Sequence, residues 1–279
     1  MVSTTRSHLT HIATTLAFVF VSSLVMMTAS ERVYWYWGFA DGAPVDIALG
    51  TIGGALFYSV PTAAALWAMA KTPARRIHQL VLASAVFAFI VEGVLTAVIF
   101  EAGPFDPIFP AMFIGWHGLL AMVGFWYLTR RWLLDRRRLL LGVAAAVVGV
   151  SWGLWSTVSW LPDNLGEIEP GMVKTVADPT AFAAYAAWVG AVFVIGHWVL
   201  GRIWKPKFSP GRVGTAILAV IMVGLHIIVV LTVPWAPIKL GIMLGLVVWA
   251  LISSRRQPEG PTIFEQLDGR VRWREAAIL

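Results

Sequence analysis

An all-α, polytopic membrane bundle of about eight helices is the fold class the sequence predicts, on three observations. Hydrophobic residues make up 58% of the 279 and charged residues only 13%, where an ordinary soluble domain carries about 25% charged. Mean hydropathy is +0.76. Apolar runs of about 20 residues, enough for one bilayer crossing, recur between short charged segments. A water-soluble fold of this size could not hide so much apolar surface, which excludes an independent globular enzyme. In lipid only helices and closed barrels satisfy their own backbone, and these runs are too long and continuously apolar for barrel strands.

The helices follow in order from charge and proline punctuation. The first, 11–30, stands between Arg6 and Glu31. The second, 46–70, runs from Asp46 to Lys71, and the third, 77–100, from Arg76 to Glu101. The fourth, 108–130, starts after Pro107 and stops at Arg130 and Arg131. The fifth, 138–160, follows Arg138 and ends before Asp163. The sixth, 180–204, lies between Asp178 and Lys205. The seventh, 212–232, and the eighth, 235–254, flank Pro234, and Arg255 and Arg256 close the last one.

All but Arg32, Lys174 and Lys239 of the 21 basic residues fall on one side of this layout. The opposite side carries Glu31, Asp41, Asp46, Glu101, Asp106, Asp163, Glu167, Glu169 and Asp178. Basic loops stay cytoplasmic, so both termini are expected inside, in a prokaryotic plasma (inner) membrane. The net charge of +6 then reads as topology, helped by anionic lipid, and not as a nucleic-acid surface. Arg6 and the small residues Thr28–Ala29–Ser30 also fit a signal peptide, whose removal would leave seven helices. The long apolar stretch favours a retained helix.

Residues 1–256 form the expected bundle, with candidate halves 1–137 and 138–256. Each half has the same succession of longer acidic and shorter proline-containing outer loops. Arg76–Val98 laid over Arg212–Pro234 brings Leu95–Thr96 onto Leu231–Thr232, a weak sign of a parallel four-plus-four repeat. The remaining 257–279 is a cytoplasmic tail. Asp268–Gly269 is a strong hairpin-turn signal, and Arg270, Arg272 and Arg274 alternate with Val271 and Trp273 as in a strand. A short β-hairpin and a disordered basic tail are the two expectations there.

The absence of cysteine removes disulfides, thiolate metal sites and a Cys nucleophile. No phosphate loop, zinc-binding spacing or nucleophile elbow is present. Ionisable groups inside apolar helices are expensive, and function or pairing usually explains them. They are Glu92, His117, His197, His226 and Lys239. At ~1.5 Å rise per residue, Glu92, His117 and His226 lie some ~12–15 Å below the outer surface and Lys239 ~7 Å below it. His197 is nearer the inner end. The short connection makes the third and fourth helices antiparallel neighbours, so Glu92 and His117 can meet as a catalytic acid–base pair. Hydrogen bonding that simply joins the two helices is the competing expectation. Equal depth also permits haem or metal between His117 and His226, but nothing requires it; no metal site is assigned and any cofactor is unknown. Lys239 has a retinal Schiff-base possibility without surrounding support, and snorkelling to the interface explains it more simply.

Fifteen tryptophans mark the chain as tryptophan-rich. Trp35, Trp37, Trp160 and Trp235 suit an outer interfacial belt, and Trp126, Trp132, Trp204 and Trp249 an inner one. Trp116, Trp152, Trp155 and Trp188 lie deeper, and Trp152, Trp155 and Ser159 share a helical face. With His226 and Lys239, the four deep rings are the candidate ligand-binding residues. Aromatic walls with one or two polar groups suit an apolar ligand, converging with Glu92 and His117 on one outer-half cavity. Packing or lipid contact is the plainer role of such rings.

Three function classes remain: a protein handling a hydrophobic ligand (isoprenoid, quinone, carotenoid or lipid), a proton-coupled transporter or channel, and a non-catalytic membrane subunit. One Asn and three Gln are poor provision for a polar solute, which needs replacement hydrogen bonds. That favours the first class, with enzymatic activity left open. The expected partners are membrane lipids, a hydrophobic small molecule, and a homo-oligomer or membrane complex, with no nucleic acid.

Overall fold

The computed structural model describes residues 2–33, 44–158, 179–209, 211–256 and 260–279. Helix α1 (Val2–Met27) continues into a π-helical turn, Thr28–Arg32. It is followed by α2 (Pro44–Lys71) and by α3 (Ile77–Ile90), which ends in a second π-helical turn, Val91–Leu95. Helix α4 comprises Ile108–Phe113, a long π-helical stretch Ile114–Leu128, and Thr129–Leu134. Then come α5 (Arg138–Val158), α6 (Pro179–Ile203), α7 (Gly211–Thr232) and α8 (Ala236–Ser253). No strand occurs among the described residues. Among the described residues seven helices are long and apolar enough to cross a membrane, and the described apolar part of α5, Arg138–Leu154, is shorter. This is the make-up of a multi-pass membrane protein.

Helices α1 to α4 form the centre. In lipid, helices gain little from hydrophobicity, so close approach through small residues and interhelical hydrogen bonds must hold them. Ser23 on α1 donates to the Ala55 carbonyl of α2 at 2.6 Å. A Cβ on Gly118 of α4 would stand 3.0–3.3 Å from Ser84 of α3, backbone included. On Gly93 it would meet Leu240 of α8 at 2.9 Å, and on Gly196 it would meet Val25 of α1 at 2.7 Å. These contacts place α8 against α3 and α6 against α1. The two helices aligned by the weak repeat occupy unlike places: the α3 segment is mostly buried, whereas almost none of α7 is.

The described tail, 260–279, is neither a hairpin nor a loose basic segment. It folds into two single-turn helices, α9 (Ile263–Gln266) and α10 (Trp273–Ala276), packed under the basic end of the bundle. Thr262 caps α9 by accepting from the Glu265 N–H, and the Glu265 carboxylate accepts from the Thr262 N–H. That reciprocal capping box starts a helix, and Ile263, Phe264 and Leu267 then enter the main core. Tertiary burial thus overrides the local alternation. Arg130 donates to the Leu267 and Gly269 carbonyls, 3.0 Å each, and lies over the Trp204 ring at 3.9 Å.

The expected inner Trp belt is also corrected. Trp126 and Trp204 are buried, 5.6 Å apart, in the core that receives the tail. Trp249 is exposed, as the belt requires. Trp35, Trp37, Ser159, Trp160 and the acidic residues of 34–43 and 159–178 lie outside the described residues, as does the Trp155 side chain.

Candidate functional site

All three π-helical segments converge on one cluster. Glu31 lies in the first, Glu92 in the second, and Trp116 and His117 in the third. A π-helical turn admits one extra residue and is common at functional sites. Its i to i+5 bonds are visible here in Val33 N–H to Thr28 O, Thr96 N–H to Val91 O and Thr129 N–H to Gly124 O. The extra residue also rotates everything that follows, so 3.6-residue periodicity alone misplaces which side chains face inward.

His117 is the centre of the cluster, 2% exposed on α4. Its Nε2 lies 2.5 Å from Glu92 Oε1 on α3, and its Nδ1 lies 3.8 Å from Glu31 Oε1 at the end of α1. The Tyr58 hydroxyl on α2 donates to the same Glu31 oxygen at 2.5 Å, and Thr96 donates to Glu92 Oε2 at 2.8 Å. Phe87 and Phe113 pack around the imidazole, 6.5 and 6.2 Å from it between ring centres. The Trp116 indole N–H donates to the Ser30 carbonyl at 2.8 Å and ties the π turn of α1 to α4. Four helices therefore supply the cluster: the imidazole is hydrogen-bonded to Glu92 through Nε2, while its buried Nδ1 makes no hydrogen bond among the described residues and faces Glu31, with its attached phenol, at ion-pair distance. The Glu92 side chain is 8% exposed and that of Glu31 is 30% exposed. The imidazole can exchange a proton directly with Glu92, and Nδ1 would have to approach Glu31 more closely before it could link the buried acid to the more accessible one.

Glu31 and Tyr58 were not legible as site residues. The sequence puts Glu31 among the acids of the outer side, and the π turn Thr28–Arg32 that carries it packs against α4 beside His117. Tyr58 is an ordinary aromatic residue in an apolar helix. The one available signal was Glu31 bordering the first apolar run directly.

The other sequence candidates are distributed differently. His226 is half-buried on α7; its Nδ1 has no hydrogen-bond partner among the described residues, and no hydrogen bond or ion pair joins it to His117 or Glu92. His197 donates from Nε2 to the Phe125 carbonyl, 3.0 Å away, a packing role. Lys239 does not snorkel. It is buried and donates to the Ile99 and Gly103 carbonyls at 3.0 and 2.8 Å, clasping the turn between α3 and α4. That turn needs a clasp, because Ala97 stands in left-handed backbone at φ +62°. Among the described residues no group of three His, Asp or Glu could hold a metal ion.

A cavity of about 360 Å³ lies between α4, α5 and α6. Small residues open it (Gly124, Ala145, Gly149, Gly190), and Phe125 and Phe193, stacked at 4.7 Å, form an aromatic wall. Trp152 also lines it, set edge-on to Phe182 and Tyr185, and its buried indole N–H has no partner among the described residues. Trp188 stacks on Tyr185 outside the lining. The sequence predicts one pocket around Glu92, His117, Trp155, Trp188 and His226; of these the Trp155 side chain lies outside the described residues, and the lining of this cavity includes none of the other four. The cavity begins at Val33, two residues beyond Glu31, and at Leu120, three beyond His117. Comparison with protein-family models, curated proteins and solved structures finds no match.

Proposed function

We propose that this multi-pass membrane protein takes a hydrophobic ligand of the isoprenoid, quinone, carotenoid or lipid class into the α4–α5–α6 cavity. The Glu92–His117 pair is its acid–base apparatus, extended by Glu31 and Tyr58. The observation that carries the reading is the cavity itself. Its ~360 Å³ falls at the small end of ligand pockets, and its apolar lining matches a molecule drawn from the bilayer. The unpartnered Trp152 N–H supports a ligand bearing one acceptor oxygen, since a buried donor left unmade costs about 1–3 kcal/mol. On this reading eight helices cross the membrane, α5 included, and the basic end with both termini faces the cytoplasm.

The test uses the full chain purified in mild detergent, with co-purifying apolar molecules identified by mass spectrometry. Gly149→Leu puts a larger side chain on the cavity lining, and its Cβ meets nothing within 4 Å. It should lose the bound molecule, whereas Gly142→Leu, also open but outside the lining, should keep it. Glu92→Gln should retain the ligand and lose in-cell function. Equal ligand content in the two glycine variants would sink the proposal.

Proton-coupled transport is the second reading, favoured by one observation: the succession of partly exposed Glu31, His117 and buried Glu92. Proton uptake by the protein in vesicles, abolished by Glu31→Gln with no ligand present, separates it from the first.

A further inference from the structure

We propose that the basic end of the bundle carries a preformed site for a phosphate group, at the turn between α2 and α3 where α8 ends. Lys71, Arg75, Arg76 and Arg255 surround a cavity of about 330 Å³, with Thr72 and Gln79 as its neutral polar wall. Basic residues on this side satisfy the topology rule wherever they fall, so their number alone implies nothing. Three features set this group apart.

The first is convergence. Arg255 comes from the far end of the chain and is tied to the turn by its own donation to the Lys71 carbonyl at 2.6 Å. The second is rigidity. Gln79 is 3% exposed; its side-chain oxygen accepts from the Arg75 and Arg76 N–H groups at 2.7 and 3.1 Å. Its amide nitrogen donates to the Ser254 carbonyl and hydroxyl, 3.1 and 3.2 Å away. From the tail, Gln266 donates to the Arg75 carbonyl. The backbone beneath the cations is therefore fixed before any ligand arrives. The third is unspent charge. Among the described residues none of the four cations forms an ion pair, while Arg131, Arg137 and Arg138 at the neighbouring loop all do. Glu265 is the carboxylate whose field reaches Arg75, and it is engaged by Thr262.

Arginine forks bond phosphate oxygens in pairs. The first turn of α3 opens beside them without an acidic residue, which leaves its N-terminal field positive. A lipid headgroup and a free phosphate offer the same chemistry here, and basic pockets between helix ends suit the former.

Wild type, Arg75→Gln, Arg76→Gln, Arg255→Gln and the control Arg136→Gln, each full-length in neutral detergent, would be titrated calorimetrically with two probes. One is inorganic phosphate; the other is dioctanoyl phosphatidylglycerol, with dioctanoyl phosphatidylcholine as the zwitterionic reference. Each pocket variant should weaken binding about tenfold or more, the loss of one charge-assisted contact, with Arg136→Gln as wild type. Arg76→Gln removes only an exposed fork, so it reports even if losing the Arg255 tether loosens the turn. Saturation by phosphatidylglycerol alone identifies a lipid, and saturation by both probes identifies the phosphate group itself. No saturable binding of either probe, or pocket variants that bind like Arg136→Gln, would overturn the site.

Discussion

A carboxyl group inside a membrane helix is expensive unless it is paired, and Glu92 has His117 on one oxygen and the Thr96 hydroxyl on the other. Each partner removed leaves another polar atom stranded. Tyr58→Phe takes the hydroxyl from Glu31 without changing the ring, and it should cost about 1–2 kcal/mol of stability, read as a lower thermal midpoint in detergent. Lys239 shows the same economy away from the cluster. Lys239→Met leaves the Ile99 and Gly103 carbonyls without their donor, so a loss of about 1–3 kcal/mol is expected. Proteolysis should then begin in the turn between α3 and α4; an unchanged cleavage pattern would show that the clasp is dispensable.

The element that decides the site is the π-helical stretch of α4. Three segments with an extra residue per turn bring Glu31, Glu92 and His117 together, and the α3–α4 contact at Gly118 sets the spacing. Gly118→Ala forces Ser84 and its backbone to yield by a few tenths of an ångström. It should destabilise by about 1–3 kcal/mol through overpacking and separate His117 from Glu92. Gly115→Ala, three residues away in open space, should be neutral or gain up to about 1 kcal/mol of helix propensity. Matched melts of the two variants check this, and similar losses in both would refute the close-contact argument.

Across the whole molecule the tail acts as a bracket. Ile263 and Phe264 enter the core, Arg130 holds the Leu267 and Gly269 carbonyls, and Glu275 meets Arg138 through two bonds at 2.5 and 2.8 Å. The Arg138 guanidinium holds the Glu275 carboxyl below the usual range near 4.5. A lowered native pKa stabilises above the unfolded value, so this contribution is complete above about pH 4.5 and fades as pH falls through the native value. Limited proteolysis with an acid-active protease should find the tail protected at pH 6 and progressively released under acid. Glu275→Gln should be more sensitive at pH 6 and lose most of the pH dependence. Identical acid profiles for the variant and wild type would assign the release to other groups.

Composition and its pattern by themselves determined that this chain is built of apolar helices, roughly where most of them lie (α1 begins at Val2, nine residues before the apolar run that announces it), and which ionisable groups stand inside them. These follow from local quantities: hydropathy, chain length per turn, and the cost of a charge in hydrocarbon. The meeting of Glu92 with His117 was readable as a possibility because a short turn makes neighbours of two helices. Rotation about the helix axes was not, because π turns shift each face by an extra residue without leaving a mark in the apolar pattern. Tertiary structure alone brought Glu31 and Tyr58 to His117, opened a cavity between α4, α5 and α6, and turned Lys239 onto the Ile99 and Gly103 carbonyls. It also turned a tail with strand-like alternation into two capped helical turns. A four-residue helix or a hairpin is marginal alone, and the apolar side chains it can bury against the bundle decide between them.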